Sequence, residues 1–440
     1  MRRLGRHRGL PRRLSLLLAA LVAVTLLDSA TLAGAAVLHA RRLERVAGVN
    51  AVSAPEVDAA ERTGAFETDI EYAALFSGEG HRVESRVSWN DDWFFEDASA
   101  YSAELAHTCA VLSAVANAES AYYQQGSTSP AYAEHAFAAL GFDEVCTASY
   151  RYRSEILDEV IGVVDGTDVV AYTLATKRIV SSRTGAEKEL VVVVVRGSYG
   201  SEWLSNIKIE GATGAAGAGE DEDHLGFTIA ASEIVADLEA RASDLEPGVE
   251  RSYLFCGHSR GGAVANLLAS YADDVADGSR ALATAGDVRA YTFAAPNCTP
   301  SPEARSCAYD NIFNVINPSD LVPQLPLEAW GYARYGRDVS LPEQGDADFA
   351  ELLDTMRASY AETMGAECAA DPADREVVES FVCGIAQRAS SFSELVSPAG
   401  IVQLAAACAQ IDLGRLLPSH YPNTYIAWLE AAARSGVHLA

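Results

Sequence analysis

The chain is short of positive charge. Its 440 residues hold 33 Lys and Arg against 61 Asp and Glu, a formal net charge of −28. A surface that acidic repels phosphate backbones, which argues against a nucleic-acid partner. It offers anionic lipid headgroups no general attraction either, so contact with a membrane or lipid interface would have to be apolar or local. There is no Cys-x-x-Cys pair and no His/Cys spacing suited to zinc, and neither a metal nor a cofactor is expected. No internal repeat is apparent, so a stacked-repeat architecture is set aside. What is present is 49% hydrophobic and 21% charged sequence, the composition of a globule with a large buried core.

The first residues read as a targeting segment. Arg2, Arg3, Arg6, Arg8, Arg12 and Arg13 form a basic start, Leu14 to Leu27 is apolar, and Ala33-Gly34-Ala35 offers a cleavage site. The alternative is an uncleaved anchor, which would place Asp28 in the membrane at a cost of about 2.5–3.5 kcal/mol. Either reading of residues 1–35 makes the protein exported: secreted, or anchored to the outer face of the cell membrane. In an oxidising compartment eight cysteines make disulfides plausible. Cys298 with Cys307 is the first expected pair; Cys109 with Cys146, and two of Cys368, Cys383 and Cys408, come next. Cys256 ends an apolar strand and is expected as a buried free thiol.

Residues 36–99 are charged and weakly periodic, and are expected to be an N-terminal extension or linker to a domain spanning 100–440. From Tyr101 apolar residues recur at helical spacing, and a second helix is expected over Ala131–Leu140, ended by Gly141. Strands are expected at Glu159–Val163, Asp168–Ala175, Glu189–Val195, Ser252–Cys256, Val288–Ala294 and Ile312–Ile316. The near-pure valine run at Glu189–Val195 is the mark of a strand buried on both faces. Helices are expected at Phe227–Leu245, Gly262–Tyr271, Phe349–Tyr360, Arg375–Ala389 and Thr424–Ala433. Alternating strands and helices give an α/β class with a mostly parallel sheet covered on both faces.

Gly257-His258-Ser259-Arg260-Gly261 is the only Gly-x-Ser-x-Gly in the chain. The five letters alone are weak, but an expected strand ends at Cys256 and an expected helix begins at Gly262. That strand–turn–helix context is what a nucleophile elbow of the α/β-hydrolase fold requires. Gly257 and Gly261 leave room where side chains would collide, and Ser259 is the candidate nucleophile. In this fold the acid and then the histidine follow the serine, and only His420 and His438 lie after any candidate acid. His438 is near the C-terminus, so His420 is the candidate base. Asp320, just past the strand Ile312–Ile316, is the candidate acid, preferred over Asp310, which precedes that strand, and Asp338, which lies farther on. The oxyanion hole would take backbone N–H groups from Arg260 and from Ser198, in the abrupt stop Arg196-Gly197-Ser198 after the valine strand.

The sequence resembles the class 3 lipase family, which includes fungal triacylglycerol lipases. Val195 to Ser198 with Trp203 to Asn206, His224 to Phe227, Gly257 to Gly262, Phe293 to Pro296, Asn317 to Pro326 and Gly331-Tyr332 carry the likeness. It implies Ser259, Asp320 and His420 as a triad, Ser198 and Arg260 at the oxyanion hole, His224 as a structural position, and an acyl ester or lipid as substrate. Tyr199–Ile207 would be a candidate lid with Trp203 as its apolar contact, the alternative being ordinary packing. Two departures stand out: Arg260 follows the serine where Leu is frequent, and a helical insertion, 341–411, separates acid from base. The insertion is either a cap over the pocket or an outer helical layer. The expected function is that of an exported serine carboxylic-ester hydrolase, lipase-like. A phospholipase or thioesterase with the same triad is the nearest alternative, and a non-catalytic binding protein of the same fold the more distant one.

Overall fold

The computed structural model describes residues 50–53, 62–74, 81–124, 132–148, 170–197, 225–243, 250–276, 282–284, 286–395 and 397–439. In chain order the described elements begin with β1 (Asn50–Ser53) and the antiparallel hairpin β2 (Ala65–Ala73) and β3 (Arg82–Asn90). Helices α1 (Ala103–Gln124) and α2 (Tyr132–Ala139) precede strands β4 (Glu144–Ala148), β5 (Tyr172–Val180) and β6 (Glu187–Val195). Then come α3 (Leu225–Ser243), β7 (Arg251–His258), α4 (Arg260–Asp274), β8 (Val288–Phe293), β9 (Ile312–Ile316) and β10 (Arg337–Ser340). The remainder is helical: α5 (Phe349–Met364), α6 (Asp374–Ala386), α7 (Phe392–Leu395), α8 (Pro398–Cys408), α9 (Leu413–Leu416) and α10 (Pro422–Ser435).

Among the described residues β1 and β4 to β10 form one eight-stranded sheet in the order β1-β4-β5-β6-β7-β8-β9-β10. Pairing is antiparallel from β1 to β6 and parallel from β6 to β10. The valine run shows why this sheet is covered twice. Leu190, Val192 and Val194 enter one core with α1, α5 and α10, while Val191, Val193 and Val195 enter the other with α3 and α4. A strand with no polar face has no side left for solvent. The fold is therefore the α/β architecture expected, a mostly parallel sheet with helices on both faces.

Several expectations shift. The strand expected at Asp168–Ala175 is β5, displaced toward the C-terminus, and Glu159–Val163 lies outside the described residues. Strand β4 was not expected. The larger difference is in the region expected to be an extension or linker. There β2 and β3 pair over their full lengths, and Ile70, Tyr72, Val83, Val87 and Trp89 are buried in the core with α1 and α5. Their alternation is masked in the sequence because the outward positions are charged, with Glu67, Glu71, Arg82 and Arg86 paired across the exposed face.

The insertion 341–411 divides in two. Leu352, Met356, Tyr360 and Met364 of α5 join the main core, as an outer layer would. Val378, Phe381 and Ile385 of α6, with Leu395, Ala407 and Cys408, instead form a separate core around Leu321 and Leu327. The cysteines do not pair as expected: all eight are free. Cys298 is buried and donates its thiol to Asn266 Oδ1 at 3.3 Å, while Cys307 is exposed. Cys109 packs in the α1 core, whereas Cys146 accepts a hydrogen bond from Arg241 of α3 at 3.4 Å, on the opposite side of the sheet. Cys368, Cys383 and Cys408 are respectively half-buried, exposed and buried.

One buried ion pair joins the hairpin to the sheet. Lys177 Nζ of β5 lies 2.9 Å from Asp91 Oδ1, the two side chains being 2% and 1% exposed. The ammonium also donates to the carbonyls of Arg62 (3.1 Å) and Leu140 (3.2 Å) and sits 5.4 Å from the Trp89 ring centre. Asp91 in turn accepts from Trp89 Nε1 at 2.8 Å and from the Gly64 N–H at 2.7 Å. With both charges removed from water, deleting one leaves the other uncompensated. Lys177→Met should lower unfolding stability by about 3–5 kcal/mol in urea titration, with Lys177→Met/Asp91→Asn regaining much of it. Equal stability of the single and double variants would show that the pair does not hold the hairpin.

Candidate active site

The site begins with a backbone constraint. β7 is an apolar strand buried from Ser252 to His258, and α4 starts at Arg260, leaving one residue, Ser259, to make the turn. Ser259 adopts φ 58° and ψ −130°, a conformation that costs an L-residue roughly 1–3 kcal/mol. Two neighbours must lack side chains for this to pack. A Cβ on Gly257 would come 2.2 Å from the Gly261 carbonyl oxygen, and one on Gly261 would come 2.2 Å from that of Val195. The elbow is tied to the next strand by the Ser259 N–H, which donates to Phe293 O at 2.8 Å. The N-terminus of α4, beginning with the buried Arg260, lies directly after the serine, where its N–H groups favour negative charge.

Asp320 follows β9. The turn that carries it closes through the Asp320 N–H on the Asn317 carbonyl (2.9 Å) and through Asn317 Oδ1, which accepts from the Ser319 N–H (3.0 Å). Arg334 braces the same loop from below, donating to Pro323 O (2.7 Å) and Ala295 O (3.1 Å). Asp320 is 1% exposed, yet its carboxylate is well satisfied. Oδ1 accepts from the Val322 N–H at 3.0 Å; Oδ2 accepts from His420 Nδ1 at 2.7 Å and from the Tyr425 hydroxyl at 2.8 Å.

His420 ends a short 3-10 turn, Leu417–His420, just before α10. The carbonyl of Ser419 accepts from Asn317 Nδ2 at 2.8 Å, and that of His420 itself accepts from His258 Nε2 at 2.7 Å. His420 Nε2 is 2.9 Å from Ser259 Oγ. The proton positions follow from the partners. A carboxylate can only accept, so Nδ1 carries the proton and Nε2 presents a lone pair to the serine hydroxyl. The arrangement can therefore withdraw the Ser259 proton and hold the resulting imidazolium against Asp320.

His258 is the second histidine here, its ring centre 4.7 Å from that of His420. Burial, and then the neighbouring His420, hold its pKa well below the usual histidine range. It is a neutral donor to a backbone carbonyl rather than a second base. Burial and the adjacent Asp320 likewise push the Tyr425 hydroxyl well above its ordinary value, so it remains a donor.

The structure thus brings Ser259, His420 and Asp320 into one hydrogen-bonded chain, with Arg260, Gly257 and Gly261 around the serine. Ser198, Trp203 and His224, with the whole Tyr199–Ile207 segment, lie outside the described residues. The described part of the valine-strand stop does reach the site, since a Cβ on Gly197 would lie 2.6 Å from the His258 carbonyl oxygen and 3.4 Å from Ser259 Cβ. The rejected candidates are placed elsewhere. Asp338 is bound to Arg334 (2.9 Å) and Arg305 (2.6 Å), and His438 is exposed at the C-terminal end. Sequence reasoning missed Tyr425, which carries no local motif, and gave no role to Asn317, at the start of the acid loop, or to His258, which was visible within the elbow but had no partner there. Among the described residues no His, Cys, Asp and Glu side chains group so as to hold a metal ion.

None of the curated proteins matches the chain at a significant level. Among solved structures, the chain is similar to the triacylglyceride lipase of Rhizomucor miehei at 20% identity, over 39% of this chain and 62% of that one, with a TM-score of 0.28. A lipase from Rhizopus microsporus var. chinensis is 18% identical over 39% of this chain and 57% of that one, TM-score 0.29. The Rhizomucor miehei lipase in complex with its propeptide is 20% identical over 66% and 86% respectively, TM-score 0.36. These likenesses are remote, and the chain spans about three fifths of the length of the first two. Residues 192–330, the part of the chain that holds both the elbow and the acid loop, match the lipase (class 3) family model.

Proposed function

We propose that the protein is a serine carboxylic-ester hydrolase, lipase-like, that cleaves acyl esters or lipids through an acyl-enzyme on Ser259. The single observation that carries this reading is the continuous hydrogen-bonded path from Ser259 Oγ through both nitrogens of His420 to Asp320 Oδ2. The match of residues 192–330 to class 3 lipases supports it.

In this reading Ser259 Oγ attacks the ester carbonyl carbon while its proton passes to His420 Nε2. The carbonyl oxygen becomes an oxyanion facing the N–H of Arg260 at the start of α4, with Ser198 as the second donor. Collapse of the tetrahedral intermediate breaks the carbon–oxygen bond to the leaving alcohol, which takes the proton from His420. Water then attacks the acyl carbon while giving a proton to His420 Nε2; collapse breaks the bond to Ser259 Oγ, which takes that proton back from His420, and the carboxylic acid is released. Asp320 stays ionised throughout; it fixes the ring tautomer and stabilises the imidazolium. Lipase, phospholipase and thioesterase share this chemistry, and a panel of triacylglycerol, phospholipid and thioester substrates separates them. The basic and apolar leader supports an exported location, which N-terminal sequencing of the mature protein would test.

Ser259→Ala should lose at least three orders of magnitude in kcat on p-nitrophenyl butyrate, and should lose labelling by a fluorophosphonate probe. Retained turnover or retained labelling of another residue would sink the assignment. Asp320→Asn should fold normally and lower kcat by about four orders of magnitude, because an amide opposite Nδ1 favours the wrong tautomer. The pH dependence has a definite sign. Protonated His420 cannot accept the serine proton, so kcat/KM should fall on the acid side of its optimum. Since His258 is held neutral by burial, the acid limb should fit a single ionisation. A limb requiring two protons would show that His258 also titrates in the active form.

A further inference from the structure

The helical insertion touches both arms of the triad from outside. On the acid side Leu321, directly after Asp320, is buried in the core that the insertion forms with Val378, Phe381 and Ile385 of α6. Ser319, directly before Asp320, donates its hydroxyl to the Pro372 carbonyl at 3.2 Å, just ahead of α6. On the base side Leu416, a few residues before His420, is buried in that same core. Beside it Arg415 reaches back to the start of α6. Its Nη2 lies 2.7 Å from Asp374 Oδ1 and 3.2 Å from Asp371 Oδ2. The Arg415 backbone is fixed as well, its N–H donating to Asp412 Oδ1 at 3.3 Å to cap α9. One turn, Asp371–Arg375, therefore meets both the loop that carries the acid and the segment that leads to the base.

We infer that Arg415 is a positioning residue for the proposed reaction: by gripping Asp371 and Asp374 it holds the segment leading to His420 against the turn that also holds the acid loop, and so sets the approach of His420 to Asp320 and Ser259. The inference rests on the ester-hydrolase reading. Asp320 and His420 are 100 positions apart, and the Leu417–His420 turn belongs to no strand of the sheet. From inside, Asn317 and His258 bind the carbonyls of Ser419 and His420. From outside, the apolar contacts of Leu321 and Leu416 keep the two arms together, but burial is non-directional and does not stop them sliding. A guanidinium set between two carboxylates does have direction. Asp374 is fully buried, and neither of its oxygens accepts a hydrogen bond of good geometry among the described residues, so its charge is met by Arg415. A carboxylate kept from water and matched by one cation binds that cation firmly. The insertion thus works as an outer brace on the triad, with Arg415 as its tie.

The test compares wild type with Arg415→Met, which removes the charge and keeps the stem, with Arg415→Met/Asp374→Asn, and with Arg415→Lys. Glu379→Gln, an exposed change on α6 that touches neither arm, is the control. Active sites are titrated with a fluorophosphonate, so that turnover of p-nitrophenyl butyrate is expressed per competent site, and stability is read by urea unfolding. Arg415→Met should lower kcat per titrated site by about 10-fold with KM within about twofold, because a displaced general base costs rate rather than substrate binding. The double variant relieves the uncompensated buried carboxylate and should regain stability without regaining kcat. Arg415→Lys keeps the charge and should recover part of the lost kcat, and Glu379→Gln should match wild type. A merely structural role would leave kcat per titrated site at the wild-type value, or return it in the double variant together with stability. Either result overturns the inference, and if Arg415→Met does not fold the double variant decides alone. Failure of the hydrolase reading is distinct, because wild type would then neither label nor turn over.

Discussion

Everything at this site depends on one residue being held in a conformation that L-amino acids rarely adopt. Ser259 sits at φ 58° because β7 must end and α4 begin with a single residue between them. The turn aims the hydroxyl away from the sheet and the helix N-terminus toward it. It is tolerated only because the surroundings leave no alternative: the strand before it is buried, its N–H is tied to Phe293, Gly257 admits the first turn of α4, and Gly261 admits the backbone leaving β6. The local strain is small beside the core that imposes it, so the cost is spread over the packed elements on both sides. Ala294, on the neighbouring strand, also adopts a positive φ, of 53°, so two adjacent strand ends turn sharply at this edge.

Around the elbow the polar groups are satisfied in an order that ends on the pair His420 Nε2 and Ser259 Oγ. Asp320 is buried but accepts three hydrogen bonds, which keeps an ionised carboxylate tolerable away from water. The carbonyls of Ser419 and His420 are both occupied, by Asn317 and His258, so the histidine backbone cannot drift relative to the elbow or to the acid loop. What remains is the contact between His420 Nε2 and Ser259 Oγ, in which a proton can move. The insertion after the acid loop contributes to this order from outside, since Leu321 and Leu327 are packed into its separate core.

Part of this was legible without coordinates, and the reasons differ by residue. Ser259, Gly257 and Gly261 are local: five adjacent residues encode the turn, and the apolar run before them encodes the strand. His420 and Asp320 are far apart in sequence and were reached through chain order and the strand at Ile312–Ile316, which is topological information written into the pattern. The valine strand announced its two buried faces directly. The hairpin at 65–90 was misread because charged residues alternate on its outer face, and a short strand such as Glu144–Ala148 offers too few residues for any period to register. The cysteine pairs failed for a simpler reason, since sequence separation carries no information about which face of a sheet a thiol occupies.

The sequence by itself determined the turn at Ser259, the order of its hydrogen-bonded partners and the α/β class, because each is encoded by neighbours along the chain or by the periodicity of single elements. Only the tertiary structure decided what surrounds them: that Tyr425 shares the Asp320 carboxylate, that the buried His258 donates to the His420 carbonyl, and that Asn117 accepts from the Gly197 N–H beside Ser259. Those are contacts between residues separated by tens to hundreds of positions. Their partners are chosen by how helices pack on a twisted sheet, and no local pattern of residues records that choice.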